Sequence, residues 1–173
     1  SLWDGKDYKN ISDQDEAKFR MIEYHKWKFK AKIFSPLAPL TVKRTPVLMS
    51  RVEYGFLGSY NKYKKSPFET FYMGGDGMSG YSSTYATETI GLRGYENGSI
   101  AGNGGYNSYG YAYSRLSMEL RYPFLLEPSS TIYGLVFVEA GNAWRDLKDF
   151  NPFQLKRSAG VGVRIFLPMT GLM

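Results

Sequence analysis

Few side chains in this chain could carry out a reaction. His25 is the only histidine, and an imidazole acting on a nucleophile or a metal needs an oriented partner or further ligands. None is evident, so His25 reads as structural. Gly75-Asp76-Gly77-Met78-Ser79-Gly80 has the G-x-G-x-x-G spacing. Dinucleotide binding by that pattern needs a strand before it, a helix after it and an acid about 20 residues on. Ser82-Ser83-Thr84-Tyr85 is a poor helix start, so these glycines read as loop. Asp4, Asp13, Asp15 and Glu16 lack the spacing of a calcium loop. The absence of cysteine excludes disulfides and thiolate metal sites. No catalytic residue, metal or cofactor is expected, and the chain does not read as an enzyme.

What remains is charge set out in a pattern. In Lys26-Trp27-Lys28-Phe29-Lys30-Ala31-Lys32-Ile33, every lysine faces one way and every apolar residue the other if the chain is extended. A helix would scatter them, so this is a strand, ended by Ser35-Pro36-Leu37-Ala38-Pro39 because proline lacks the ladder donor. A second strand is expected over about residues 41–60, with Val42, Leu48, Val52, Tyr54 and Phe56 opposite Lys43, Thr45, Arg51, Glu53 and Ser59. Pro46 in its middle suggests a bulge. Alternation returns three times. Ala112, Leu116, Met118, Leu120, Tyr122 and Phe124 oppose Tyr113, Arg115, Ser117, Glu119 and Arg121. Ile132, Val136, Val138 and Ala140 oppose Tyr133, Leu135, Phe137 and Glu139. Val161, Val163, Ile165 and Leu167 oppose Ser158, Gly160, Gly162, Arg164 and Phe166.

Residues 61–109, between the second and third of these strands, are rich in glycine with little alternation. So long an irregular stretch is uncommon in a compact domain and is usually functional or disordered. Its Tyr and Phe content argues against plain disorder. Residues 1–16 are polar and read as a loop. Ser1-Leu2-Trp3-Asp4 has neither the basic start nor the apolar core of a signal peptide, so the chain is expected to be a piece of something longer. The whole reads as a single domain over 1–173.

Composition agrees with strands: 17% aromatic, 15 Tyr and 19 Gly suit a pleated surface with tight turns, whereas glycine costs a helix roughly 1 kcal/mol against alanine. A mean hydropathy of −0.37 leaves soluble and membrane β architectures both open, because barrel strands alternate lipid-facing and lumen-facing residues. Strand length separates them. The runs span about 12–17 residues, against about 5–6 in ordinary sheets and about 9–11 needed to cross hydrocarbon. A face lined with Lys, Arg and Glu would be intolerable in a sandwich core but suits a wet lumen. Tyr122, Phe124 and Trp144 near strand ends are expected in an aromatic girdle. The net charge of +6 and the lysine ladder could suggest nucleic acid, but without a helix or stacking platform a basic lumen wall is the better reading. The expected fold is all-β: the C-terminal portion of a transmembrane antiparallel β-barrel, five long strands plus one long loop.

Inside that loop, Gly91-Leu92-Arg93-Gly94-Tyr95-Glu96 resembles the V/I-R-G-F/Y signature of the BamA-type outer-membrane assembly factors, the bacterial surface antigen family. Pro67-Phe68-Glu69-Thr70-Phe71-Tyr72-Met73-Gly74-Gly75 is similar to the segment preceding it. Gly134-Leu135-Val136-Phe137-Val138-Glu139-Ala140-Gly141-Asn142-Ala143-Trp144 resembles a late barrel strand of that family. Arg157-Ser158-Ala159-Gly160-Val161-Gly162-Val163-Arg164, with Leu167-Pro168-Met169-Thr170-Gly171, resembles the next strand and its turn. The four stand in the family's order and cover the chain from about residue 41.

The resemblance implies a loop folded back into the barrel, locked by Gly91, Leu92, Arg93, Gly94 and Tyr95. It implies that Arg93 is held by lumen acids, matched here by Glu119 and Glu139, both placed on the polar face by alternation alone. Position 139 is Glu where many relatives carry Asp. Gly160 and Gly162 are expected to leave the wall low enough for the loop, and a guanidinium fork can bridge two carboxylates where an ammonium does so poorly. The family's final strand is expected just after Met173, so this portion has open edges that invite pairing. The implied function is insertion and folding of β-barrel proteins in the outer membrane of a Gram-negative bacterium. The implied partners are unfolded barrel clients, assembly lipoproteins and outer-membrane lipid, with no nucleic acid. A two-partner secretion or autotransporter translocation pore, or a passive porin, is the alternative.

Overall fold

Strict alternation of apolar and charged side chains is satisfied only by an extended chain. In a computed structural model the alternating runs form five strands of one antiparallel sheet. The structure describes residues 22–39, 41, 44–61, 63, 65–76, 88–100, 109–127 and 130–166. In chain order the elements are β1 (Tyr24–Pro36), β2 (Val47–Ser59), β3 (Phe71–Met73), β4 (Glu88–Ile90), β5 (Ala112–Glu127), β6 (Ser130–Trp144) and β7 (Lys156–Phe166). The large sheet has the order β1-β2-β5-β6-β7, and each neighbouring pair is antiparallel. Its strands run from 11 to 16 residues, long enough to cross the hydrocarbon layer.

The two faces of this sheet are the reverse of those in a soluble sandwich. Trp27, Phe29 and Ile33 of β1, Met118 and Leu120 of β5, Val136 and Val138 of β6, and Val161, Val163 and Ile165 of β7 all stand exposed on one side. Monomers in water rarely present so continuous an apolar face, and hydrocarbon is the solvent that suits it. On the other side Glu53, Glu119 and Glu139 are only 2%, 3% and 0% exposed. They are covered by the described stretches between β2 and β5, residues 65–76 and 88–100, which fold onto this face. The polar side is therefore the inside.

Several expectations change at this point. The second strand starts at Val47, not near 41, and Pro46 lies before it. The Pro46 carbonyl accepts from the Leu37 amide at 2.9 Å and closes the β1–β2 connection; having no N–H, Pro46 could not have continued the ladder. Val42, Lys43, residues 1–16 and Leu167–Gly171 lie outside the described residues. Trp144 is 6% exposed rather than set in a girdle. Its ring meets Phe150 edge-on at 4.7 Å, and Phe150 also meets Phe56. Tyr122 and Phe124 do stand exposed near their strand end, packed edge to face.

The long loop also holds regular structure that its glycine-rich sequence hides. β3 and β4 pair in parallel, Phe71 with Glu88 through Met73 with Ile90. Phe71 further exchanges backbone hydrogen bonds with Gly110, at 2.9 and 2.7 Å. Phe71, Met73, Ile90, Leu92 and Ile100 of the loop pack on Leu57, Tyr113 and Ala143 of the sheet, forming the core. Close approach needs bare backbone beneath it. A Cβ on Gly141 would lie 2.4 Å from Met73 Cε, and one on Gly55 would lie 2.2 Å from the Tyr113 ring, so only glycine leaves room for the loop and the ring.

Candidate functional site: the inward loop and its anchor

The chain turns sharply after β4. Leu92 is fully buried and bridged to Gly75, and the Gly75 amide donates to the Tyr95 carbonyl at 2.9 Å. Gly94 has φ +85°, which L side chains rarely adopt, and this turn points Arg93 at the sheet. Gly91 lines a polar cavity of about 290 Å³ together with Arg93, Glu53, Arg115 and Glu119. Tyr95 reaches the far strand, donating its hydroxyl to the Arg157 carbonyl at 2.9 Å.

Arg93 is bound three ways to one carboxylate. Its backbone N–H donates to Glu139 Oε2 at 3.0 Å, while Nε and Nη2 donate to Oε1 at 3.1 and 2.6 Å. The same Nη2 donates to Glu119 Oε1 at 2.6 Å. The guanidinium lies 3.6 Å above the Phe137 ring, a stacking that the planar group makes well. Burial works against its charge, but Glu139 and Glu119 outweigh that and raise its pKa further. Arg93 therefore stays a cation at any physiological pH.

Neither acid depends on Arg93 alone. Glu139 also accepts from Arg115 Nη2 at 2.9 Å and from the Ser117 hydroxyl at 3.1 Å. Glu119 also accepts from Arg121, at 3.0 and 2.6 Å. Glu53 continues the network through Arg51 at 2.8 Å and Arg115 at 3.6 Å. Three buried carboxylates on three neighbouring strands are thus compensated by guanidiniums, as buried charge requires.

Arg93, Glu119 and Glu139 come together, and Gly91, Leu92, Gly94 and Tyr95 form the turn that delivers the arginine. Gly160 and Gly162 act differently from expectation. A Cβ on Gly160 would meet the Phe137 ring at 2.7 Å, and one on Gly162 would meet Leu135 at 3.6 Å. Gly160 makes room for a β6 side chain and seats the ring on which Arg93 lies, whereas a Cβ on Gly162 would make only ordinary contact. The loop approaches β7 at Ser158 instead, 3.3 Å from a Cβ on Gly94. Arg115, Ser117, Arg121 and Phe137 were missed as members of the site, although alternation had put all four on its face. Glu69 and Glu88, which bind the lysines of β1, carried no local signal.

A family model described as the Omp85 superfamily domain matches residues 18–173. The chain belongs to the Omp85 superfamily. No curated protein and no solved structure matches it. The match begins well before residue 41, where the motif resemblance started, and so takes in the lysine strand β1. Omp85 proteins are β-barrels of bacterial or organellar outer membranes that work as assembly or translocation factors. That setting accounts for the exposed apolar face and the charged, loop-covered one. Among the described residues no helix is long and apolar enough to cross a membrane; the crossing elements are the strands. Also among the described residues, no group of His, Asp and Glu is placed to hold a metal.

Proposed function

We propose that this Omp85 chain is part of a BamA-type insertase of a Gram-negative outer membrane, which receives unfolded β-barrel clients and promotes their insertion and folding. The observation that carries the reading is the Arg93 fork on Glu139 and Glu119, within the Gly91-Leu92-Arg93-Gly94-Tyr95 segment that resembles the assembly factors. No covalent chemistry or cofactor is needed. A client strand lowers its free energy by giving its unpaired backbone groups a sheet edge instead of apolar lipid, where each unsatisfied group costs several kcal/mol. The role of the Arg93 lock is to hold the loop against β5 and β6, so that the wall keeps one shape while clients come and go. Assembly lipoproteins and outer-membrane lipid are the partners this reading calls for.

The test is client folding by the intact protein in lipid vesicles. An unfolded barrel client should acquire protease-resistant, membrane-inserted structure faster with the protein than without it, and Arg93→Ala should slow the gain. Passage of a client across the bilayer without insertion would favour a two-partner secretion or autotransporter pore. Steady ion conductance that is indifferent to clients and to Arg93→Ala would make the protein a passive porin.

A further inference from the structure

The lysines of β1 take no part in the Arg93 lock, yet they grip the same loop on the same polar face, from the β1 edge of the sheet. Three ammoniums converge on Glu88, at the start of β4: Lys28 at 2.8 Å, and Lys26 and Lys30 at 3.3 Å each. Lys26 also binds Glu69 at 2.7 Å. Glu69 has φ +63°, the one non-glycine residue with positive φ among the described residues. A side chain held in that region is uncommon and persists only where its surroundings impose it. The Glu88 amide donates to the Thr70 carbonyl, next to Glu69, so the two acids are joined through one backbone bond.

We propose that Lys26, Lys28 and Lys30 form a second anchor for the inward loop, and that this anchor releases before the one at Arg93. The two differ in kind. Glu139 and Glu119 have side chains 0% and 4% exposed and meet a fixed fork of donors. Here Lys28, Lys30 and Glu69 are 40%, 48% and 40% exposed, and only Lys26, at 12%, and Glu88, at 23%, are more covered. Ammoniums meet carboxylates as point charges on flexible stems, and no acid is as buried as Glu139. Exposed pairs are weak and screened by salt, whereas buried forked ones are screened little. When the β1 side lets go, the loop swings on Arg93 and uncovers the polar cavity whose wall includes Lys30, Arg51 and Glu53. Nothing in this depends on whether the client is inserted or translocated.

These 173 residues hold no cysteine, so engineered pairs within them can be spin-labelled in the intact protein in lipid once any cysteine outside them is replaced by serine. Labels at Tyr24→Cys and Phe68→Cys report the β1 side, and labels at Glu96→Cys and Phe153→Cys report the Arg93 side. Raising salt from about 0.1 M to about 1 M shortens the screening length from about 10 Å to about 3 Å. The long-distance population of the first pair should then grow about threefold or more, with the second pair unmoved. Glu88→Lys should do the same at low salt, and adding Lys28→Glu should restore the short distance. A first pair indifferent to salt and to charge reversal, or two pairs that move together, would overturn the proposal. The salt titration needs no further substitution, so a charge variant that fails to fold does not remove the test, and because it reads distance, its outcome is separate from client insertion.

Discussion

Replacing Arg93 by alanine removes three side-chain hydrogen bonds to two carboxylates and the stacking on Phe137. The loss is smaller than the roughly 3–5 kcal/mol expected when a buried charge is orphaned, because Glu139 keeps Arg115 and Ser117 and Glu119 keeps Arg121. Two ion-paired contacts at the low end, about 1.5 kcal/mol each, give about 3 kcal/mol. Freed side-chain entropy of about 1.5–2 kcal/mol is partly matched by the lost stacking. The net is about 2 kcal/mol, or roughly a thirtyfold rise in the undocked loop at about 1.4 kcal/mol per tenfold. Amide exchange reads it directly through the Phe71 and Ile100 amides, which bond to Gly110 and Met73. Arg93→Lys, an ammonium unable to serve both acids with one fork, should fall between, at roughly tenfold. An alanine variant with protection within about threefold of the parent, or a lysine variant equal to it, would refute this accounting of the lock.

Three other outcomes follow from the same geometry. Val138→Arg places a cation midway along β6 on the exposed apolar face and should cost about 2–4 kcal/mol of stability in lipid; an unchanged urea midpoint in vesicles would mean that face does not meet hydrocarbon. Gly141→Val drives a Cβ into Met73 and toward the Ser114 carbonyl, so it should cost about 1–3 kcal/mol, seen as faster exchange in the loop while the strand signal in circular dichroism is kept. Burial raises the Glu88 pKa, but Lys28 and Lys26 outweigh it and hold it below the ordinary 4.5. Its contribution to docking is therefore full above that value and lost as pH falls through the lower folded one, so acid should loosen the β1 side of the loop, and Glu88→Gln should abolish that pH dependence.

The five long strands were legible because each is buried on one face only, and a period of two in side-chain polarity then shows in the sequence. The acids of the site were legible for the same reason: Glu119 and Glu139 fell on the polar face before any contact was known. β3 and β4 were not. Each has three residues, too few to show a period, and their parallel pairing is imposed from outside by Gly110 and the core beneath. The role of Gly160 was not legible because it depends on the neighbouring strand. Gly160 stands opposite Phe137 in the ladder, and no pattern within β7 reveals that a ring needs the space. The Glu69 and Glu88 contacts to β1 join residues 43 to 62 positions apart. Such pairs exist only once the loop has turned inward.

The arrangement around Glu139 also fixes the register of the sheet. Glu139 stands opposite Ser117 and Glu119 opposite Phe137, so the two acids lie on adjacent strands with a single offset. Arg93 binds both acids and lies on Phe137, and the Ser117 hydroxyl donates to Glu139. A one-residue slip of β6 against β5 would turn Glu139 to the apolar face and Val138 to the inside. Glu139 would then lose Arg93, Arg115 and Ser117 together and meet hydrocarbon as a bare carboxylate, which is far costlier than the slip of any apolar pair. The loop therefore does more than fill the interior. It binds its own wall only when β5 and β6 are paired correctly, so docking favours the native register over its neighbours.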